Sequence, residues 1–279
     1  MLWSVHVQSN GDLYLNDKLI VSNGSYVGDS GWPSRLTRLK TAPTSVTRIE
    51  LSIGSAGATD FENIRSLINS QGTGSGSILY RNFQALKNAT GANAVNFDDE
   101  SAYDLASATA FGKMLYDSLG LAITFAPYTQ VTFWKNLKSN LGDRVDGVYL
   151  QVYDGGAGND PKSWSDSLGI TVDPGLWSRH GSNCASGDSP ASVNSRMSAW
   201  KSSAGIAGGF IWLYDDIQAC AAQGTAADYA GAINQAVSSG TGTASPNLAY
   251  AKTATGSSAC NANETPAKAC LLYTSPSPR

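Results

Sequence analysis

Residues 93–100 read Asn93-Ala94-Val95-Asn96-Phe97-Asp98-Asp99-Glu100, an apolar, β-prone run that ends abruptly in three acids. The polar residues recur with period two. In a strand, Asn96, Asp98 and Glu100 therefore project from one face while Val95 and Phe97 pack on the other. Neighbours in that polar row stand about 6–7 Å apart. A hydrophobic strand that releases acids at its carboxyl end is how α/β barrels build catalytic mouths. A surface strand running into an acidic turn reads the same way locally, so the flanking sequence must separate the two.

Strand and helix signals alternate on both sides of that run. Strands are expected at 2–7, 48–54, 93–98, 121–127, 146–153, 170–176 and 208–214. Helices are expected at 33–41, 60–68, 78–89, 104–118, 131–140, 190–202 and 225–238. Asn16-Asp17 turns a hairpin between 13–15 and 19–21, and this hairpin region must supply an eighth strand. Long βα alternation with nearly continuous apolar strands means a parallel sheet covered by helices. A doubly wound sheet would carry a Gly-rich phosphate turn after its first strand, and none follows residue 7. The expected fold is an α/β TIM (β/α)8 barrel over residues 1–237.

Composition narrows the function classes. Net charge is −3 with 15% charged residues and no basic cluster, which gives no footing for nucleic acid. No apolar run approaches the roughly 20 residues that a membrane span needs. Small polar residues and seven Trp with little Lys and Glu suggest the surface of a secreted, carbohydrate-handling protein. Three sequons, at Asn23, Asn88 and Asn263, would permit glycosylation in a eukaryote. Of the four Cys, Cys184 and Cys220 fall in expected loops and suit a disulfide better than a metal. Two His and no Cys/His cluster argue against structural zinc.

Four expected strand ends gather related chemistry: Ser52-Ile53-Gly54, Asp98 with Glu100, Gln151-Val152-Tyr153-Asp154, and Trp212 with Tyr214-Asp215-Asp216. In a barrel all four face the same mouth. Their order and spacing resemble family 18 glycoside hydrolases, the chitinases and endo-β-N-acetylglucosaminidases, over roughly residues 1–237. The resemblance implies that Glu100 is the general acid. It implies that Asp98 orients the substrate N-acetyl group and stabilises its charged cyclic intermediate, with Tyr153 hydrogen-bonding the acetyl carbonyl. Asn96, Gln151, Asp154, Trp212, Tyr128 and Tyr214 are the expected substrate-binding residues, with Trp212 as the floor. No metal or organic cofactor is implied. Substrate assistance is an exception to the rule linking carboxylate separation to stereochemistry.

The sequence departs from the family's four acids at Asn93 and Asn96. Asn93 is expected to fix a loop. Asn96 can donate a hydrogen bond to Asp98 but cannot exchange a proton with it, which implies an altered rate or pH optimum. This keeps a second reading in play, a non-hydrolytic, lectin-like barrel that binds N-acetylated sugars. Trp134, Trp164, Trp177, Tyr128 and Tyr214 fall at or after strand ends, where some could stack on sugar rings. Trp200 is expected in the core, His6 as a satisfied interior histidine and His180 in a loop. The Asp215-Asp216 pair lacks the surrounding ligand loop that a cation site needs.

The ends read differently. Residues 1–7 have neither the charged start nor the cleavage site of a signal peptide, so a secretion signal is expected upstream of this fragment. Residues 238–246 are a Ser/Gly/Thr/Pro linker. Residues 247–269 resemble the opening of a coagulation factor 5/8 C-type (discoidin) domain, and 270–279 resemble a translated sequencing adapter. The expected protein is thus a secreted, monomeric glycosidase whose partner is a chitin-like polymer or N-glycan.

Overall fold

The structure is a computed structural model that describes residues 1–238 and Tyr273–Thr274. The expected linker beyond Ser238, the discoidin-like segment and the rest of the closing decapeptide lie outside the described residues. The chain divides into two compact units, one of Met1–Ala42 with Val46–Val148, the other of Pro43–Ser45 with Tyr149 onward.

In the first unit, β1 (Leu2–Val7) leads into three short strands, β2 (Leu13–Leu15), β3 (Lys18–Ser22) and β4 (Ser25–Tyr26). All three pair antiparallel in succession from β1. The hairpin region therefore supplies an antiparallel meander, not an eighth parallel strand. Its connections explain why. A two-residue turn can only return the chain antiparallel, whereas a parallel neighbour needs a crossover of a dozen residues or more. Asn16 and Asn23 take positive φ, 50° and 45°, as such tight turns require.

After helix α1 (Trp32–Leu39) the alternation is regular: β5 (Glu50–Ile53), α2 (Asp60–Gln71), α3 (Ile78–Thr90), β6 (Ala94–Phe97), α4 (Leu105–Lys113), β7 (Ala122–Phe125) and α5 (Val131–Leu141). Strands β1, β5, β6 and β7 are parallel neighbours in that order, and residues 145–148 of β8 (Val145–Gln151) pair beside β7. The helix expected to continue through 118 is α-helical only to Lys113, then makes one π turn over Met114–Ser118.

Helix α3 shows how local sequence sets an element. The Ser77 side chain caps its start by accepting the Tyr80 N–H, and Gly91 ends it in the left-handed conformation. Ile78, Leu79, Phe83 and Leu86 form its buried stripe. Every residue of β6 is buried. Phe97 packs against Phe61 from α2, Phe111 from α4 and Phe125 from β7, with ring centroids 5.5, 5.4 and 6.2 Å away. Burying one such ring contributes roughly 2–3 kcal/mol, so this cluster fixes the strand between its helices.

The second unit holds the end of β8 and the parallel strands β9 (Asp173–Trp177) and β10 (Gly209–Trp212). It also holds helices α6 (Pro161–Leu168), α7 (Pro190–Ala204), α8 (Tyr214–Ala219) and α9 (Ala226–Val237). The pair β11 (Tyr273–Thr274) lies antiparallel to β10. A capping box between Thr225 and Asp228 starts α9, which packs along α7.

Cys184 and Cys220 are disulfide-bonded, with Cα atoms 5.7 Å apart and a sequence separation of 36. Loop-closure entropy for a ring of that length is worth about 4 kcal/mol, and removal of native bridges typically costs about 2–5 kcal/mol. The double variant Cys184→Ser/Cys220→Ser is accordingly expected to lose roughly 2–4 kcal/mol of stability in urea titration. An unchanged midpoint, with wild type equally indifferent to reductant, would show that the bridge adds nothing.

Candidate active site

Register alone places the first group of polar side chains. Ser52 on β5, Asn96 on β6 and Thr124 on β7 are cross-strand partners. All three are buried, and Glu50, two residues before Ser52, lies on the same face at 5% exposure. Ser52 Oγ donates to Asn96 Oδ1 at 3.0 Å, and Asn96 Nδ2 donates to Thr124 Oγ1 at 3.0 Å. Thr124 Oγ1 in turn donates to Glu50 Oε2 at 2.7 Å, and Glu50 also faces the Arg48 guanidinium at 2.7 Å. The row satisfies its members internally, as buried polar groups must.

This corrects one expectation. Asn96 spends its amide on Thr124 rather than on Asp98, because its register partner is nearer than the next residue along its own face. Asn93 does what was expected of it: its Oδ1 accepts from Ile49 N at 3.1 Å and from Lys40 Nζ at 3.2 Å.

Beyond the end of β6 the same face carries the acids. Asp98 N donates to Ile53 O at 2.9 Å, extending the β5–β6 ladder by one bond. That close approach requires glycine at 54: its φ is +99°, and a Cβ there would lie 2.1 Å from Asp98 O. Asp98 is 6% exposed and receives the Trp3 indole N–H at 3.4 Å. Burial holds its carboxyl well above the usual range, and the charge of neighbouring Glu100 raises it further. The side-chain contact with Glu100 acts in the same direction.

Asp99, between them, points the other way and shapes the loop. It is 2% exposed. Its Oδ1 accepts from Ser101 N at 3.2 Å and Ala102 N at 2.9 Å, and its Oδ2 accepts from Tyr103 N at 2.9 Å. Burial raises this carboxyl and the three backbone donors pull it back down. The clamp holds Tyr103 at φ +43°, an uncommon conformation for an aromatic residue. The Tyr103 phenol sits among Tyr128, Asp99 and Glu100, and its ionisation is pushed up chiefly by burial. Half-buried Tyr128 thus belongs to the acid cluster, with Tyr103 as a companion.

In the second unit Tyr153 stacks on Trp212, with centroids 6.3 Å apart and planes 13° from parallel. Trp177 and Phe210 meet the Tyr153 ring edge-on at 6.1 and 6.2 Å. Trp177 donates its indole N–H to Asp216 at 2.7 Å and stacks on His180 at 4.0 Å. Gln151 is 9% exposed, and its carbonyl accepts from Asn159. Asp154 is exposed, at φ +45° on a short 3₁₀ turn, and Tyr214 is half-buried at the start of α8.

Other aromatics divide by burial. Trp134 (1% exposed) and Trp164 (7% exposed) are packing residues, and Trp164 donates to Asn159. Trp200 is half-exposed rather than core, and the Arg196 guanidinium one turn earlier lies over its ring at 5.0 Å. Trp3, Asp99 and Tyr103 escaped the sequence reading. Asp99 carried one available signal, an acid followed by small residues that can turn back onto it. Trp3 carried none, since its partner lies 95 residues away. Among the described residues no group of three or more His, Cys, Asp or Glu could hold a metal ion.

No protein-family model and no curated protein matches the chain. Among solved structures, a fungal endo-β-N-acetylglucosaminidase from glycosyl hydrolase family 18 is similar, with a TM-score of 0.60 and 18% identity. The match covers 85% of this chain and 84% of that one. At that identity the likeness is one of fold, the TIM-type α/β barrel that the alternation of elements predicted.

The raised Asp98 carboxyl has a consequence for stability. Between its unfolded and folded proton affinities the native state binds more protons, so stability falls as pH rises through that window. Asp98→Asn is expected to be more stable than wild type at pH 7 and equal to it below the ordinary Asp range. Each kcal/mol gained would appear as about 2–4 °C in Tm. Melting curves from pH 3 to 8 check this, and a constant difference at every pH contradicts it.

Proposed function

We propose that this protein is a secreted glycoside hydrolase that cleaves β-linked N-acetylglucosamine polymers or glycans by substrate-assisted, retaining hydrolysis. The observation that carries the reading is the carboxyl pair Asp98 and Glu100 at the carboxyl end of a buried parallel strand. A glycosidase needs one carboxyl protonated near neutral pH and a second group to manage positive charge. Burial and the neighbouring Glu100 charge shift Asp98 toward retaining a proton, which supports such a pairing.

In this scheme Glu100 gives its proton to the glycosidic oxygen as the C1–O bond breaks. The acetamido oxygen of the same sugar bonds to C1, and Asp98 accepts the acetamido N–H and stabilises the positive ring. Water then attacks C1 as its bond to the acetamido oxygen breaks, Glu100 takes a proton from that water, and the β-configured product is released. The resemblance assigns Tyr153 to the acetyl carbonyl and Trp212 to sugar stacking, and within the second unit their rings stack on each other. Gln151, Asp154, Tyr128 and Tyr214 are assigned to substrate contact, and Asn96 to supporting the strand that carries the acids. The disulfide supports an oxidising, extracellular setting.

A lectin-like role is the second reading, favoured by one observation: an amide, Asn96, stands where the resemblance implies an acid, and it donates to Thr124. The test is turnover of chitin oligosaccharides beside their deacetylated counterparts, with Glu100→Gln as control. Cleavage of acetylated substrate only, reduced about 100-fold or more in the variant, is expected for a lost general acid. Binding of acetylated sugars without turnover in wild type would establish the lectin instead. Cleavage of both substrates would point to a carboxylate nucleophile.

A further inference from the structure

Of the three sequons in the chain, Asn263 lies outside the described residues, and the fold treats the other two differently. Asn23-Gly24-Ser25 supplies the two-residue turn between β3 and β4 and the first residue of β4, with Ser22 and Ser25 as cross-strand partners. Asn23 and Ser25 are both exposed. The turn is fastened to α3. Gly24 N donates at 2.5 Å to Asn82 Oδ1, and Asn82, completely buried, donates its own Nδ2 to Gly11 O at 2.6 Å. The backbone of the turn is therefore fixed while the Asn23 side chain faces outward.

The Asn23 amide is also oriented. Arg81 Nη1 donates to Asn23 Oδ1 at 3.2 Å, and Asn23 Nδ2 makes no hydrogen bond among the described residues. An N-linked sugar bonds to Nδ2 and leaves the carbonyl oxygen as an acceptor, so the Arg81 contact survives modification. N-glycan transfer reads the hydroxyl of the third sequon residue together with the amide, and here that hydroxyl belongs to exposed Ser25. Asn88-Ala89-Thr90 is the opposite case. It forms the last turn of α3, where the buried Thr90 hydroxyl donates to Leu86 O at 2.8 Å and accepts from Ala92 N at 3.2 Å. Presenting Thr90 means unwinding the end of a helix, whereas presenting Ser25 means releasing a strand of two residues.

Strand β4 also ends its sheet. It pairs with β3, and among the described residues no strand pairs with its other side. Such an edge offers backbone groups to a second chain. Val27, directly after β4, adds an apolar side chain at 51% exposure. Asn23 stands two residues before Ser25, about 7 Å of extended chain from the start of that edge. We propose that Asn23 carries an N-linked glycan that shields the edge at β4. The modification joins Asn23 Nδ2 to C1 of an N-acetylglucosamine and breaks the C1–O bond to a lipid diphosphate donor. The diphosphate leaves with the electron pair, and the amide gives up one proton. The proposal rests on the secreted character of the proposed hydrolase and uses none of its chemistry.

The test is secretion of the Glu100→Gln protein from yeast behind an added signal peptide, followed by glycopeptide mapping. Glu100→Gln keeps the proposed hydrolase from trimming its own glycan, and the added signal tests the site apart from the secretion reading. Asn23 is expected to be occupied in most molecules and Asn88 in few. Adding Ser25→Ala, which leaves the Asn23–Arg81 contact in place, is expected to abolish the Asn23 glycan. That variant should self-associate, by light scattering, at concentrations where the glycosylated protein stays monomeric, and a cooperative melting curve verifies its folding. Asn23 bare in folded, secreted protein, or Asn88 glycosylated in its place, would overturn the site. Asn23 occupied with Ser25→Ala equally monomeric would overturn the shielding. Turnover of chitin oligosaccharides by the Glu100-containing protein is a separate readout, so failed hydrolysis would sink the hydrolase and leave the glycan standing.

Discussion

The parallel register of β5, β6 and β7 is the constraint on which the rest of the first unit depends. It sets Ser52, Asn96 and Thr124 side by side, so that a buried polar row closes on itself and ends at Glu50. A slip of one residue would turn that row into the aromatic layer and Phe97 into the polar one. The same register brings Asp98 N onto Ile53 O and leaves Asp98 and Glu100 just past the paired strand. Asp98 is thereby held at its base by β5 and at its carboxylate by the Trp3 indole of β1.

The fold was legible where chemistry is local. Period-two polarity and unbroken apolar runs marked β6 and its parallel neighbours, and alternation with amphipathic helices marked the α/β class. Ser77 and Gly91 bracketed α3 as capping chemistry predicts. The hairpin region does not supply the expected eighth parallel strand, because two-residue turns at Asn16 and Asn23 return the chain antiparallel. The position of Asp98 and Glu100 just past β6 was legible in the same way, since both follow directly from that strand.

What stayed hidden was every contact made at long range. Asn96 was expected to serve Asp98, its neighbour along one face, whereas the cross-strand partner Thr124 took its amide. Trp3 reaches Asp98 from the far end of the chain. His6 was correctly read as a satisfied histidine, yet nothing in the sequence named Ser4 and Asp60 as the partners that satisfy it. Burial was equally illegible for Trp200, which is half-exposed with the Arg196 guanidinium over its ring.

Asp99 shows how a site of this kind reconciles opposed demands. Three acids in succession repel one another, and placing all of them near one cleft would cost stability. Asp99 escapes by turning into the loop, where three backbone N–H groups compensate its buried charge. Asp98 instead takes the Trp3 indole from β1, and burial together with the Glu100 charge drives its carboxyl well upward. Burial raises both acids, but at Asp99 the backbone donors offset part of that rise and fix the loop in return. The direction in which each side chain points thus decides whether its burial serves the loop or the cleft.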